Sequence, residues 1–167
     1  MEKDTLRVIV SGGGTGGHIF PAISIANAIK EQHPDAEILF VGAEGRMEMQ
    51  RVPAAGYEIK GLPVAGFDRK RLWKNVSVLI KLFRSRRKAK KIIKEFNADA
   101  VIGFGGYVSG PVVRAAAKLG IPTAIHEQNA FPGLTTRKLS QVVDKVCLSF
   151  DASRPYFNCK EEKLVLT

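Results

Sequence analysis

Short apolar runs alternate along this chain with stretches in which apolar residues recur at the spacing of a helix. The strand-like runs lie at residues 6–10, 38–41, 57–60, 100–104, 122–125 and 145–148. Such an alternation is typical of β-α units that build a parallel sheet. The pattern therefore predicts an α/β fold with a doubly wound, mostly parallel, Rossmann-like sheet, in which ligands bind at the carboxyl ends of the strands.

One more apolar run, at residues 164–166, predicts a last strand with no helix after it. The 167 residues are enough for one sound hydrophobic core. We therefore expect residues 1–167 to form a single domain. A strand that lacks its return element also leads us to expect a second domain after it.

The turn after the first predicted strand is rich in glycine. It reads SGGGTGGH over residues 11–18 and lies directly ahead of a predicted helix. Glycine has no Cβ, so such a turn can point its N–H groups at a ligand, and the positive end of the helix adds to the attraction for anions. The turn is typical of a phosphate-binding loop.

This turn matches neither of two common nucleotide-binding motifs in full. Gly12, Gly14 and Gly17 fit the dinucleotide-binding pattern G-x-G-x-x-G, but the next acidic residue, Glu44, comes later than a ribose-binding carboxylate would. A Walker loop is excluded because no Gly-Lys-Ser/Thr follows. His18 fits neither motif. It could abstract a proton near neutral pH, or it could simply cap or hydrogen-bond the helix start.

Two further turns after predicted strands carry polar chemistry. The second, GFGGYVSGP at residues 103–111, precedes a helix predicted over 112–119, and Ser109 could cap that helix or donate to a ligand oxygen. The third, HEQNA at residues 126–130, combines donors and acceptors that suit a hydroxyl-rich ligand. A buried, hydrogen-bonded loop would explain the third turn as well.

Composition is that of an ordinary globular domain, with 45% apolar and 25% charged residues. No apolar run approaches the roughly 20 residues that span a bilayer, and the first residues do not resemble a signal sequence, so we expect a cytoplasmic protein. Cys147 and Cys159 lack metal-binding spacing and are predicted to be free thiols.

The formal net charge of +10 is concentrated between Asp68 and Glu95, a stretch without acidic residues. On a helix, this stretch has two apolar stripes. One packs on the sheet in our prediction, and its members are Val78, Leu82, Ala89, Ile93 and Phe96. The other stripe is left free, and basic residues extend it along the same face of the helix. Its members are Leu72, Trp73, Val76, Leu79, Ile80, Phe83, Arg86, Arg87 and Lys90.

An apolar stripe bordered by cations is suited to a membrane surface with anionic lipids. Nucleic acid is a poorer match because few aromatic residues are interleaved with the cations. The alternative is a solvated basic helix whose stripe is covered by a loop or by a further domain.

The three turns, together with Arg46-Met47-Glu48 and Gly133-Leu134-Thr135, resemble the MurG family of glycosyltransferases. The resemblance extends from Arg7 to about Thr167. It implies the N-terminal, acceptor-side half of a two-domain GT-B enzyme. Such enzymes transfer GlcNAc from UDP-GlcNAc, with inversion, to the C4 hydroxyl of MurNAc in undecaprenyl-pyrophosphoryl-MurNAc-pentapeptide during peptidoglycan synthesis. By itself, this half is expected to be inactive.

The resemblance also implies roles for individual residues. His18 matches the proposed general base, and Glu127 is the competing candidate. Donor contacts are implied for Thr15, Gly16, Gly17 and Asn129. Acceptor pyrophosphate contacts are implied for Gly14, Gly105, Gly106, Tyr107, Ser109 and Gln128.

The family further implies peripheral attachment to the cytoplasmic face of the bacterial inner membrane, through the free stripe described above. The chain contains no Asp-x-Asp pair, so no metal or other cofactor is expected between the donor phosphates. Loop N–H groups and helix ends would stabilise that charge instead. The alternatives are a dinucleotide-binding domain of the oxidoreductase type and a basic nucleic-acid-binding module.

Overall fold

The computed structural model describes residues 5–64 and 75–167. The described strands are β1 (Arg7–Ser11), β2 (Glu37–Ala43), β3 (Glu58–Leu62), β4 (Ala100–Gly103), β5 (Thr123–Glu127), β6 (Lys145–Leu148) and β7 (Leu164–Leu166). The described α-helices are α1 (Gly16–Gln32), α2 (Glu48–Ala54), α3 (Asn75–Phe96), α4 (Ser109–Lys118) and α5 (Leu134–Leu139). Two 3₁₀ helices, Asp151–Tyr156 and Glu161–Lys163, precede β7.

The described strands form one parallel sheet in the order β3-β2-β1-β4-β5-β6-β7. The chain order reverses between β1 and β4, where Ser11 pairs with Gly103. In an open parallel sheet this reversal creates a crevice at the carboxyl ends of the two strands. The first two glycine turns leave the sheet at this point, and β5, which leads to the third turn, is the next strand along. The predicted α/β architecture is confirmed.

Both faces of the sheet are covered, which explains why the central strands are apolar runs and do not alternate with polar residues. Val8 and Val10 of β1 pack in one cluster with Ile19 of α1. Ile9, between them in sequence, points to the other face and packs in a cluster with Ile93 of α3 and Val112 of α4. Helices α1 and α2 therefore cover one face, and α3, α4 and α5 cover the other.

Two boundaries differ from the sequence prediction. Helix α4 begins at Ser109 and not near Val112, because the turn residues themselves adopt helical geometry from Val108 onward. Helix α2 was not predicted, since its seven residues include Pro53 and are too few to show a helical period. The last strand, β7, and the two free cysteines agree with the prediction.

Candidate functional site

The first two glycine turns form the walls of a cleft of about 260 Å³ at the carboxyl edge of the sheet. Part of its lining comes from the first turn, at Gly13, Gly14, Thr15 and His18. The second turn contributes Gly106, Tyr107 and Val108, and the remaining lining residues are Ala43, Arg46 and Val64. The cleft thus combines backbone amides, an imidazole, a phenol and a guanidinium group. Arg46 was not assigned a role from the sequence.

The two glycine turns contact each other through their backbones. A Cβ on Gly106 would lie 3.1 Å from the carbonyl carbon of Gly13 and closer still to its oxygen. Gly106 also has a φ of +78°, in the left-handed region that side chains disfavour. Neither the contact nor the conformation leaves room for a side chain, so glycine is required at this position.

His18 is held by the backbone of its own turn. Its Nδ1 atom lies 3.0 Å from the carbonyl oxygen of Gly13 and 3.3 Å from Oγ1 of Thr15. A carbonyl oxygen can only accept, so Nδ1 carries the proton in the neutral ring and Nε2 has a free lone pair. A Cβ on Gly105 would lie 2.9 Å from Nε2, so any side chain at this position would collide with that edge of the ring. His18 is therefore oriented as a proton acceptor.

Ser109 connects the two turns from the interior side of the cleft. Its side chain is fully buried, and its hydroxyl lies 2.7 Å from the Gly105 carbonyl oxygen and 2.9 Å from the Ser11 carbonyl oxygen. The hydroxyl oxygen also accepts the N–H of Gly105 at 3.2 Å. Ser109 does not cap α4 through its side chain. Its hydroxyl has no exposed surface with which to contact a ligand.

Glu127 organises the third turn. Its carboxylate accepts the backbone N–H of Asn129 at 3.0 Å, the Asn129 side-chain amide at 2.9 Å and the N–H of Gly133 at 3.3 Å. The residue is only 2% exposed. Both oxygens are thus engaged away from solvent, and the side chain is placed to shape the turn and to fix the amide of Asn129.

His126 and Gln128 lie beside Glu127 in the same turn. The Gln128 amide donates to the carbonyl oxygen of His126 at 3.0 Å, and the Gln128 Oε1 atom is buried without a partner among the described residues. Burial lowers the pKa of His126, against a smaller opposing effect of the Glu127 charge. Burial therefore favours the neutral ring of His126, which lies 3.4 Å from the hydroxyl of Ser149.

Glu48 is a buried group whose position the sequence did not reveal. It is fully buried behind the first glycine turn. Its Oε1 atom accepts the N–H of Ala43 at 2.9 Å, and Oε2 accepts the N–H of Gly14 at 3.2 Å. The carboxylate thereby connects the end of β2 to the first turn. A single acid in a short helix has no periodic context, so sequence pattern alone could not show that it points inward.

The free stripe of α3 is exposed as predicted. Leu79, Ile80 and Phe83 are 55%, 57% and 61% exposed, whereas Val78 and Ile93 of the other stripe are buried. Leu72 and Trp73 lie outside the described residues, as does the side chain of Val76. Within the described residues, no helix is both long and apolar enough to cross a membrane.

Next to this stripe, α3 and α4 enclose a groove of about 330 Å³. Its charged lining comes from both helices, namely Arg86, Arg87, Lys90, Arg114 and Lys118. Phe83, Ala115 and Leu119 supply the apolar part of the lining. The exposed apolar residues of α3 are therefore bordered by cations on two helices, of which the sequence had indicated only those on α3.

The chain is similar to known proteins over almost its whole length. The glycosyltransferase family 28 N-terminal domain matches residues 8–148. A protein of Phocaeicola vulgatus is 62% identical over 99% of this chain, and one of Alkaliphilus oremlandii is 58% identical over 97%. Both are named UDP-N-acetylglucosamine--N-acetylmuramyl-(pentapeptide) pyrophosphoryl-undecaprenol N-acetylglucosamine transferase. The chain covers 43% and 44% of their lengths.

Solved structures agree with the family match. The crystal structure of Acinetobacter baumannii MurG aligns with a TM-score of 0.82 at 32% identity, over 97% of this chain and 45% of that one. The structure of UDP-N-acetylglucosamine 2-epimerase from Rickettsia bellii shares the fold, with a TM-score of 0.68 at 15% identity over 96% of this chain and 44% of that one. The family match favours a glycosyltransferase domain over the oxidoreductase and nucleic-acid alternatives. The chain belongs to the glycosyltransferase family 28 N-terminal domain family.

Proposed function

We propose that this chain is the N-terminal, acceptor-side domain of a two-domain GT-B enzyme that makes a lipid-linked disaccharide. The enzyme transfers GlcNAc from UDP-GlcNAc to the C4 hydroxyl of MurNAc in undecaprenyl-pyrophosphoryl-MurNAc-pentapeptide, in peptidoglycan synthesis. The names of the relatives support this substrate pair. The observation that carries the proposal is His18, whose Nε2 lone pair is kept free between two glycine turns.

In the proposed reaction, His18 acts as general base. The C4 oxygen of MurNAc bonds to the anomeric carbon of GlcNAc while its proton moves to Nε2 of His18, and the bond from that carbon to the UDP oxygen breaks. Attack opposite the leaving group inverts the anomeric centre. Glu127 is the weaker candidate for the base because its oxygens are already held by Asn129 and Gly133.

The N-terminal end of α1 stabilises the negative charge that develops on the leaving UDP. The first N–H groups of a helix have no partners within the helix, and the helix dipole favours an anion there. This supports donor contacts by Thr15, Gly16 and Gly17, with Asn129 contributing from the third turn. Arg46 lines the same cleft and adds a positive charge.

The acceptor pyrophosphate lies against the second turn in this proposal. Gly106 and Tyr107 line the cleft there, and Tyr107 is 63% exposed. Gly105 and Ser109 act behind this surface, since the N–H of Gly105 is bonded to the buried Ser109 hydroxyl. Gly14 likewise supports the first turn, because its N–H is bonded to Glu48. For Gln128 we propose contact through its NH₂ group, because its amide oxygen can only accept and is buried.

The domain attaches peripherally to the cytoplasmic face of the bacterial inner membrane in the same proposal. The exposed stripe Leu79, Ile80 and Phe83 enters the interface, and the cations around the α3–α4 groove bind anionic headgroups. A second, C-terminal domain supplies the remaining donor contacts. This is supported by the length of the relatives, of which the chain covers less than half.

The activity is tested with the full-length protein that contains this domain. Radiolabelled UDP-GlcNAc and a lipid-linked MurNAc-pentapeptide are the substrates, and label is expected in the lipid fraction with one UDP released per GlcNAc transferred. The 167-residue chain alone serves as the control and should transfer none. Absence of acceptor-dependent label, or saturable binding of NADH, would contradict the proposal.

Membrane attachment predicts a specific effect of charge on the exposed stripe. The double substitution Leu79→Glu with Phe83→Glu should reduce partitioning into vesicles with anionic lipid by at least about tenfold, because two apolar side chains lose their burial. Substituting Arg86, Arg87 and Lys90 by Gln should weaken binding about a hundredfold, at about 1 kcal/mol for each cation near the surface. Vesicle co-sedimentation at low and high salt measures both effects.

Arg51→Gln is the matched control for the cations. Arg51 lies on α2, which covers the opposite face of the sheet from α3, so its loss should leave partitioning unchanged. Equal binding of wild type to neutral and anionic vesicles would contradict the electrostatic part of this proposal. Unchanged binding of the Leu79→Glu, Phe83→Glu variant would contradict the role of the stripe.

A further inference from the structure

The proposed reaction does not use the buried carboxylate of Glu48, which lies behind the first glycine turn. The side chain is fully buried, and no salt bridge to it occurs within residues 5–64 and 75–167. An unpaired carboxylate is costly to bury unless hydrogen bonds stabilise its charge. Here two backbone N–H groups do so, one on each oxygen.

One of these two bonds belongs to the peptide group that also holds His18. The N–H of Gly14 donates to Glu48, and the carbonyl oxygen of Gly13, in the same peptide group, accepts the Nδ1–H of His18. The distances are 3.2 Å and 3.0 Å. Carboxylate, peptide and imidazole thus form a continuous chain of hydrogen bonds. Hydrogen bonds in such a chain polarise one another, and a carboxylate at one end makes the distal carbonyl a stronger acceptor.

We propose that Glu48 is a positioning residue for His18, acting through the peptide group between Gly13 and Gly14. This inference rests on the proposed function, in which His18 is the base. The negative charge of Glu48 strengthens the Gly13 carbonyl as an acceptor, which holds the proton on Nδ1 and leaves the lone pair on Nε2. Glu48 would thus orient His18 as a carboxylate orients a catalytic histidine in other enzymes, except that a peptide group lies between the carboxylate and the ring.

A carboxylate is required here because both of its partners are donors. A glutamine has the same size but only one oxygen, so its NH₂ group would face the N–H of either Gly14 or Ala43. The peptide would lose its partner or rotate, and with it the carbonyl that His18 needs. The packing is tight as well, since a Cβ on Gly42 would lie 2.6 Å from Cγ of Glu48. The side chain therefore has little freedom to choose another partner.

Other groups that face His18 do not supply this orientation. The Thr15 hydroxyl lies 3.3 Å from Nδ1 and can donate as well as accept, so it permits either tautomer. Arg46 and Tyr107 line the cleft in which His18 lies, on the side where substrates bind. Only the Gly13 carbonyl, among these groups, requires a proton on Nδ1.

The experiment compares Glu48→Gln with wild type in the full-length protein. We expect kcat to fall about tenfold, as when a group that orients a functional histidine is removed, with KM for both substrates nearly unchanged. Ring ¹⁵N shifts of His18 report the tautomer, and the share of neutral ring with its proton on Nε2 should rise in the variant. Asp144→Asn is the matched control, because Asp144 also accepts a backbone N–H, that of Thr123 at 2.8 Å, and lies at the amino-terminal edge of the sheet. It should change neither kcat nor the tautomer.

Three results would overturn the inference. One is a wild-type His18 whose neutral ring carries its proton mainly on Nε2, a measurement that does not depend on whether the variant folds. Another is a folded Glu48→Gln variant with wild-type kcat and tautomer. The third is a tenfold rise in KM with unchanged kcat, which would indicate damage to the binding surface alone. Failure of the proposed function is seen separately, as absence of GlcNAc transfer by the wild-type protein.

Discussion

Replacing His18 with alanine in the full-length protein is expected to lower kcat by about a hundredfold or more, the usual contribution of a positioned general base. The physical reason is the loss of Nε2, which the Gly13 carbonyl keeps free to accept the proton of the attacking hydroxyl. KM for UDP-GlcNAc should change little, because the donor phosphates contact the turn and the helix end in our proposal. Steady-state transfer kinetics with both substrates varied would measure this.

His33→Ala controls for the loss of an imidazole elsewhere. His33 follows the end of α1 and is exposed, so this variant should have wild-type kinetics.

Glu127→Gln tests the competing base. It should lose activity together with order in the third turn, because the backbone N–H groups of Asn129 and Gly133 would lose part of their acceptor. Wild-type turnover by His18→Ala would remove His18 as the base.

The substitution Gly106→Ala is expected to have the largest effect on stability. The left-handed conformation costs an alanine roughly 1–2 kcal/mol, and insertion of its Cβ against the Gly13 backbone adds about 1–3 kcal/mol. At about 2–4 °C for each kcal/mol in a domain of this size, we expect the melting temperature to fall by roughly 4–20 °C. The two walls of the cleft should separate, and GlcNAc transfer should be lost with them.

The variant Gly120→Ala separates the conformational cost from the cost of inserting a Cβ. Gly120 has a φ of +72°, close to that of Gly106, but a Cβ there would meet nothing within 4 Å. Its substitution should therefore show the conformational cost alone, roughly 1–2 kcal/mol, with activity retained. Thermal unfolding of both variants by circular dichroism gives the difference. An equal loss of stability in the two variants would mean that contact between the added Cβ and the Gly13 backbone adds no cost at Gly106.

The strands and the exposed helix stripe could be predicted because both depend on spacing between apolar residues. Parallel strands covered on both faces are short apolar runs, and a helix such as α3 shows each face every three or four residues. The burial of Val78 and the exposure of Phe83 follow from that spacing alone. Glycine content also indicated which turns form the cleft, since close contact between backbones excludes side chains.

Hydrogen-bond partners could not be predicted in the same way. Ser109 lies 98 positions from Ser11, whose carbonyl oxygen it contacts, and Glu48 lies 34 positions from Gly14. Such contacts depend on how strands are ordered in the sheet, which periodicity does not determine. The sequence therefore indicated which residues carry polar groups near the cleft. It did not distinguish those that face the cleft, such as Tyr107, from those that support it from behind.

The direction of α3 has a consequence for how a lipid-bound substrate would reach the cleft. Ser85 donates to the carbonyl oxygen of Pro63, just after the carboxyl end of β3, and Lys88 pairs with Glu44, just after the end of β2. Leu79 lies six residues before Ser85, about 9 Å further along the helix axis on the cleft side. In the proposed attachment the domain would meet the bilayer along the α3 face, with the apolar stripe as the part of that surface nearest the cleft. A sugar on a lipid pyrophosphate could then be glycosylated while its hydrocarbon chain stays in the membrane.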